Sequence, residues 1–269
     1  MPIQDARGTK HALDKPARRI VSLVPSATET LHCLGLADQI VGITRFCVHP
    51  EPWVKSVPNV GGTKDIEVER VLELEPDLVV GNCEENTLEI FEALDPHVPV
   101  WAPLPKTIPE AIADLGHMGM LTGTEELARQ FQQQATEAWE HAKKHSQPFT
   151  YAYFIWHEPW MSISDDTFIA QMLGSVGGVN VFGDHPERFP EIDMNGRITA
   201  IPDVVFLSSE PFPFKEKHRD KLCATTGIPT DNVRFIDGEY ASWHGHRMIA
   251  GLSYMAQRAP NRWDPNPPR

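Results

Sequence analysis

No stretch of this 269-residue chain approaches the ~18 consecutive apolar residues of a membrane span. The N-terminus, MPIQDARGTKHALDKPARRIVSL, also lacks the apolar run of about 7–15 residues that a secretory leader needs. Charges at Asp5, Arg7, Lys10, Asp14 and Lys15 interrupt it, so a cytoplasmic location is expected, with a periplasmic one as the alternative if a leader has been removed. Basic runs are missing too. With 24 Lys and Arg against 37 Asp and Glu, a formal net charge of −13, no concentrated basic face exists to grip phosphate backbones, which argues against nucleic acid as a partner. Cysteine is scarce and scattered, at Cys33, Cys47, Cys83 and Cys223, without a CxxC pair. A disulfide framework therefore has no support in a chain of this size, and Cys33 on a helix face reads as core filler. Catalytic signatures are absent as well: there is no GxSxG elbow, P-loop, GxGxxG or HExxH.

What is present is an ordinary globular composition, 41% hydrophobic and 23% charged, at a length where one core gives way to two. The chain carries an internal near-repeat. In the first half, a strand-like run from Ile20 to Val24 leads into the amphipathic segment SATETLHCLGL, and a second strand is expected from Gln39 to Ile43. VERVLELEPDLVVGN then reads as a short helix, a Pro-Asp turn and a buried strand. The second half repeats the order, with TFIAQMLGSVGGVNVFG as helix, glycine stop and strand, and GRITAIPDVVFLSS as helix, Pro-Asp and strand. Proline ends the helix at Pro76-Asp77 and at Pro202-Asp203, and the apolar run after each suits a strand covered on both faces. Strands alternating with helices predict α/β lobes built on central parallel sheets.

Between the halves, Thr107 and Glu110 form a capping-box pattern with Pro109 in the first turn. After an interruption at Thr122-Gly123-Thr124, Glu125 to His145 reads as one helix, spanning roughly 30 Å at 1.5 Å per residue. An ordinary crossover helix inside one domain has the same signature, but the length and the change of repeat unit on either side favour a strut between lobes. The expected organisation is an N-terminal lobe over 1–108, a connecting helical segment over 109–147, a C-terminal lobe over 148–258 and a Pro-rich tail over 259–269.

In parallel α/β sheets, ligands gather outside the carboxyl ends of the strands. That rule nominates Ser26, the segment Phe46–Pro50 with Cys47 and His49, and the segment Asn82–Asn86 with Glu85. In the second half it nominates Trp156–Trp160, Glu210, and the stretch containing Trp243 and His244. Three segments read Glu-Pro-aromatic: Glu51-Pro52-Trp53, Glu158-Pro159-Trp160 and Glu210-Pro211-Phe212. Proline stiffens such a loop and holds a ring out at small entropic cost, for a flat ligand or a cation. The plainer reading is that these rings pack on their own lobe. Cys47 and His49 offer thiolate and imidazole to a soft or borderline metal, although two ligands alone are not a site.

RIVSLVPSATETLHCLGLADQIVGIT and PNVGGTKDIEVERVLELEPDLVVGN resemble the helical-backbone class of ABC-transporter substrate-binding proteins, which take cobalamin or Fe(III)-siderophores. The resemblance runs from about Arg19 to about Gln257. It implies two Rossmann-like lobes, one rigid connecting helix, a cleft between the lobes and no catalysis. Where the periplasmic cobalamin receptor has a tyrosine before the loop proline, this chain has His49, and two tryptophan positions fall on Thr63 and Asn82. The aromatic wall implied here shifts to Trp156, Trp160, Trp243 and Phe189, with Trp101 as a further member. An imidazole at His49 suits an axial ligand to a corrin cobalt or a haem iron. Importer docking in the class uses one glutamate per lobe: Glu69 matches the first, and Asn195 stands where the second is expected. With no leader, this points to a cytoplasmic relative.

The function expected is therefore binding of a small metal chelate (a cobalamin-like corrinoid, haem or siderophore) by a monomer that is not an enzyme, inserts in no membrane and carries no catalytic cofactor. Two alternatives stay open. One is a metal- or tetrapyrrole-processing enzyme using His49, Glu85 and His244 as ligands or bases; the other is capture of a free transition metal by Cys47, His49 and a second-lobe histidine.

Overall fold

The computed structural model describes residues 3–12, 14–144, 146–194 and 201–258. The chain divides into two compact units. The first comprises Met1–Pro105, Pro109–Gln134 and Gly245–Arg247; the second comprises Lys106–Ile108, Ala135–His244 and Met248–Arg269.

The first unit begins with a short antiparallel hairpin of β1 (Ile3–Gln4) and β2 (Lys10–His11). There follow β3 (Ile20–Ser22), α1 (Pro25–Cys33), β4 (Ile40–Ile43), α2 (Val68–Glu73), β5 (Leu78–Val80), α3 (Leu88–Leu94) and β6 (Val100–Trp101). The last four strands form one parallel sheet in the order β4-β3-β5-β6. Its middle strands are buried at every residue, as their apolar runs require, and Val21, Val79, Phe91 and Val100 share one core. The strand expected to reach Val24 stops at Ser22, because Pro25 opens α1 with Val24 as its cap.

Two helices follow, α4 (Ile108–Thr122) and α5 (Glu125–Lys144), with Pro109 in the first turn of α4. The break expected at Gly123 is present, with φ +71°, and a Cβ there would lie 2.8 Å from Pro16 Cγ. The 20 residues of α5 start in the first unit and finish in the second.

The second unit contains β7 (Phe149–Phe154), α6 (Phe168–Gly174), β8 (Gly178–Asn180), β9 (Val204–Ser208), α7 (Glu216–Thr226), β10 (Val233–Ile236), α8 (Gly238–Ser242) and most of α9 (Arg247–Arg258). Its strands form a second parallel sheet, β10-β9-β7-β8. Both sheets run second, first, third, fourth in chain order, so the near-repeat in the sequence is a repeat of topology. The helix expected from GRITAI falls mostly on residues outside those described, as does Asn195.

The paired Pro-Asp turns have a matching chemical role. Asp77 accepts the backbone N–H groups of Arg18 and Arg19 at 2.9–3.0 Å, just before β3. Asp203 accepts the Thr150 N–H at 2.7 Å and the Thr150 hydroxyl at 2.9 Å, at the start of β7. Each aspartate thus fastens the entry of the neighbouring strand to the strand it precedes.

Candidate ligand-binding loops

In a sheet of this order the switch point lies between the first and third strands, and ligands collect beyond their carboxyl ends. In the first unit that is the gap between β3 and β5. α1 starts there without a side-chain cap, and Ser26 is its half-buried second residue. Thr28 Oγ1 bonds the Val24 carbonyl at 3.0 Å and stands 2.8 Å from Ser22 Oγ and 3.0 Å from Cys47 Sγ. Thr44 Oγ1 approaches the same sulfur at 3.3 Å. Cys47 is therefore buried, and loss of hydration pushes its thiol pKa up in spite of these contacts. Its position serves to pin the loop after β4 to α1. Next to it, Phe46 and Val48 stay 48% and 44% exposed, and His49 is half-buried before Pro50.

Thr63 and Asn82 are both buried and belong to one knot. The Asn86 amide donates to the Thr63 carbonyl at 2.8 Å, Asn82 N–H donates to Asn86 Oδ1 at 2.9 Å, and Glu84 N–H donates to Asn82 Oδ1 at 2.7 Å. These side chains shape the loops after β4 and β5. Glu85 lies on the surface of that knot, its carboxyl pKa raised first by loss of hydration and then by Glu84 beside it. Glu69 is exposed on α2.

In the second unit, the chain leaving β7 doubles back between Trp156 and Met161 and then runs beside residues 188–192. Trp160 O accepts from Ile192 N–H at 2.8 Å and Pro190 O from Ser162 N–H at 2.9 Å, which carries Phe189 alongside as a half-buried ring. Trp156 is 40% exposed, with its edge 5.5 Å from Phe212 between centroids. Trp160 follows the plainer reading: it stacks on Phe214 at 5.6 Å and meets Phe154 at 5.2 Å, within its own unit's core. All three Glu-Pro-aromatic segments carry a cis Glu-Pro bond.

Glu210 Oε1 accepts the Trp243 indole N–H at 2.8 Å and the Ser242 hydroxyl at 2.9 Å, while burial raises its carboxyl pKa. Trp243 and His244 are both buried, and burial pushes the imidazole of His244 down to about 4, so it is neutral at pH 7. Trp101, expected in an aromatic wall, is instead core of the first unit: it is 1% exposed and donates to Asp114 Oδ1 at 2.9 Å. Among the described residues no group of three or more His, Cys, Asp or Glu is placed to hold a metal, and no helix is long and apolar enough to cross a membrane.

Sequence reading missed a clip after His244. Gly245–Arg247 belongs to the first unit. Arg247 meets Glu29 of the SATE segment through two bonds of 2.7 Å, and His246 N–H donates to Thr30 Oγ1 at 3.0 Å. The only signal available was an acid in α1 and a Gly-x-Arg just after Trp243-His244.

The profile of the periplasmic binding protein family matches residues 20–227. A vitamin B12-binding protein of Vibrio cholerae serotype O1 is 23% identical over 230 residues, covering 84% of this chain and 83% of that protein. Among solved structures, the periplasmic heme-binding protein RhuT from Roseiflexus sp. RS-1 aligns with a TM-score of 0.77 at 20% identity, covering 89% of this chain and 97% of that one. An ABC-type Fe3+-hydroxamate transport system protein from Saccharomonospora viridis gives a TM-score of 0.76 at 19% identity, covering 96% and 98%. The two-sheet fold and the extent of the match place this chain in the periplasmic binding protein family, a family of binding proteins and not of enzymes.

Proposed function

We propose that this protein is a substrate-binding protein for a bulky metal chelate of the cobalamin, haem or siderophore class, held by the carboxyl-end loops of its sheets. One observation carries the reading. Of the seven large hydrophobic side chains exposed among the described residues, Phe46, Val48, Leu88 and Trp156 lie on or beside those loops. Scattered exposed apolar residues need no explanation, but a concentration at the fold's ligand position does. A wide ligand with apolar faces covers such residues, whereas a bare ion does not. The named ligands of the relatives, vitamin B12, heme and Fe3+-hydroxamate, are chelates of that size.

In this reading His49, beside Phe46 and Val48, faces the metal of the chelate, and Ser26 and Glu85 supply polar contacts at its rim. Thr63, Asn82, Glu210 and Trp243 position the loops through their hydrogen bonds. Glu69 is the surface acid through which an importer would dock.

The test compares exposed apolar residues on and off the loops. Phe46→Ala and Trp156→Ala are each expected to weaken chelate binding roughly tenfold, the loss of one well-covered ring. Met120→Ala and Val179→Ala, equally exposed but elsewhere, should leave it unchanged. Equal effects from both pairs would refute the location.

A further inference from the structure

In the second unit, the loop after β7 and the loop after β9 meet through a cluster of rings, two of which are imidazoles. The ring of His157 lies 4.7 Å from Trp160, 5.0 Å from His218 and 5.8 Å from Phe212, centroid to centroid. His218, on the first turn of α7, lies 5.0 Å from Phe212 and 5.7 Å from Phe214. The His157 side chain is 9% exposed, and its Nε2 is enclosed without a hydrogen-bond partner. His218 Nδ1 accepts the Lys215 N–H at 2.9 Å, so the proton of the neutral ring sits on Nε2.

We propose that His157 and His218 form an acid-released fastener: as neutral rings they hold residues 156–160 against residues 210–214, and protonation of either one loosens both loops and the exposed Trp156 with them.

The geometry opposes a charge on either ring. A proton on His157 places a cation in an aromatic cluster where Nε2 has no acceptor. A second proton on His218 would occupy Nδ1 and set donor against donor at the Lys215 N–H. The neighbouring charges act the same way. α7 brings Lys217 and Lys221 toward the pair, and its N-terminal cap brings Lys215. The loop after β7 brings one acid, Glu158, which stands 3.9 Å from His157 Nδ1 but is paired with Lys221 at 2.8 Å. The acid of the loop after β9, Glu210, is engaged by Ser242 and Trp243. Loss of hydration first, and these cations after it, hold both imidazoles below the ordinary histidine range. Both therefore favour the neutral form at pH 7. The stability their packing contributes declines as pH falls through about 6.5, where an unfolded histidine is half protonated, and is lost once pH falls below the lowered pKa of the folded rings.

That loosening would weaken ligand retention rests on the proposed function; the fastener itself belongs to the ligand-free chain and is tested there. The experiment follows imidazole NMR resonances and tryptophan emission of the ligand-free protein from about pH 8 to about pH 4.5. Both rings should titrate below about 6.5, with an emission change over the same interval. That change should vanish in the double variant His157→Phe, His218→Asn, which keeps a ring at one site and an acceptor for the Lys215 N–H at the other. Titration at or above 6.5, or an emission change that persists in the double variant, overturns the proposal. If the double variant does not fold, the wild-type imidazole titration decides.

Discussion

Gly245 sits at φ +88°, where a side chain is strained, and a Cβ there would come within 2.3 Å of Thr30 Oγ1. That hydroxyl also accepts from His246 N–H, and the adjacent Arg247–Glu29 pair keeps only 11% and 16% of its side-chain surface exposed. Gly245→Ala should therefore destabilise the first unit by about 2–4 kcal/mol, from left-handed strain plus overpacking, as measured by denaturant unfolding. An unchanged midpoint would show that the clip has no energetic role. Asp114 gives a second residue-scale prediction. It is 3% exposed, bonded through Oδ1 to Trp101, with Oδ2 buried and unpartnered, and burial lifts its pKa to about 7. The folded chain therefore holds this proton more tightly than the unfolded one. Its contribution to stability is complete below about pH 4 and is lost as pH rises to about 7. Asp114→Asn retains the acceptor for Trp101 and removes the charge. The variant should gain on wild type by on the order of 2–4 kcal/mol between those pH limits; a difference independent of pH would contradict the assignment. Legibility at this scale was uneven. A loop proline marks His49 and a strand end marks Trp156, and the structure leaves the first half-buried after β4 and the second 40% exposed after β7. Trp101 and Trp160 were misleading because sequence marks a ring's place on a loop or strand but not the partner it packs on.

The elements themselves were the most legible part of the chain, and the Pro-Asp turns show why. Helix, Pro-Asp and apolar strand recur at Asp77 and Asp203, and each aspartate fastens the strand beside it. What the pattern did not reveal was that cross-strand bond, since nothing in the order of residues says which backbone amides face an aspartate. Asp203→Ala should weaken the start of β7 by roughly 1 kcal/mol, the scale of an exposed hydrogen bond. Hydrogen exchange at Thr150 should quicken while β3 is unaffected, and Asp77→Ala should do the reverse. Equal exchange changes in both sheets would mean that the two turns are not the independent fasteners described here. The N-terminal hairpin was not foreseen at all. Asp5 accepts from Arg7 and Thr9 within it, while Ala6 N–H bonds Ala102 O beyond β6 and so covers that sheet edge.

For the molecule as a whole, the repeat of topology and the family match support the proposed account: two parallel sheets with four of the seven large hydrophobics exposed among the described residues on or beside their carboxyl-end loops, as a bulky chelate would require. Binding linked to the native state should also raise the unfolding midpoint, by about 2.7 kcal/mol of stability at a hundredfold excess over Kd. The direct measurement is an absorbance titration of the purified protein with cobalamins, haem and ferric siderophores, with free zinc and free ferric iron as controls. Saturable, stoichiometric binding of at least one chelate below about 100 μM, tighter than either free ion, is the predicted result. Failure of every chelate to bind in that range, or preference for a free ion, would contradict the account.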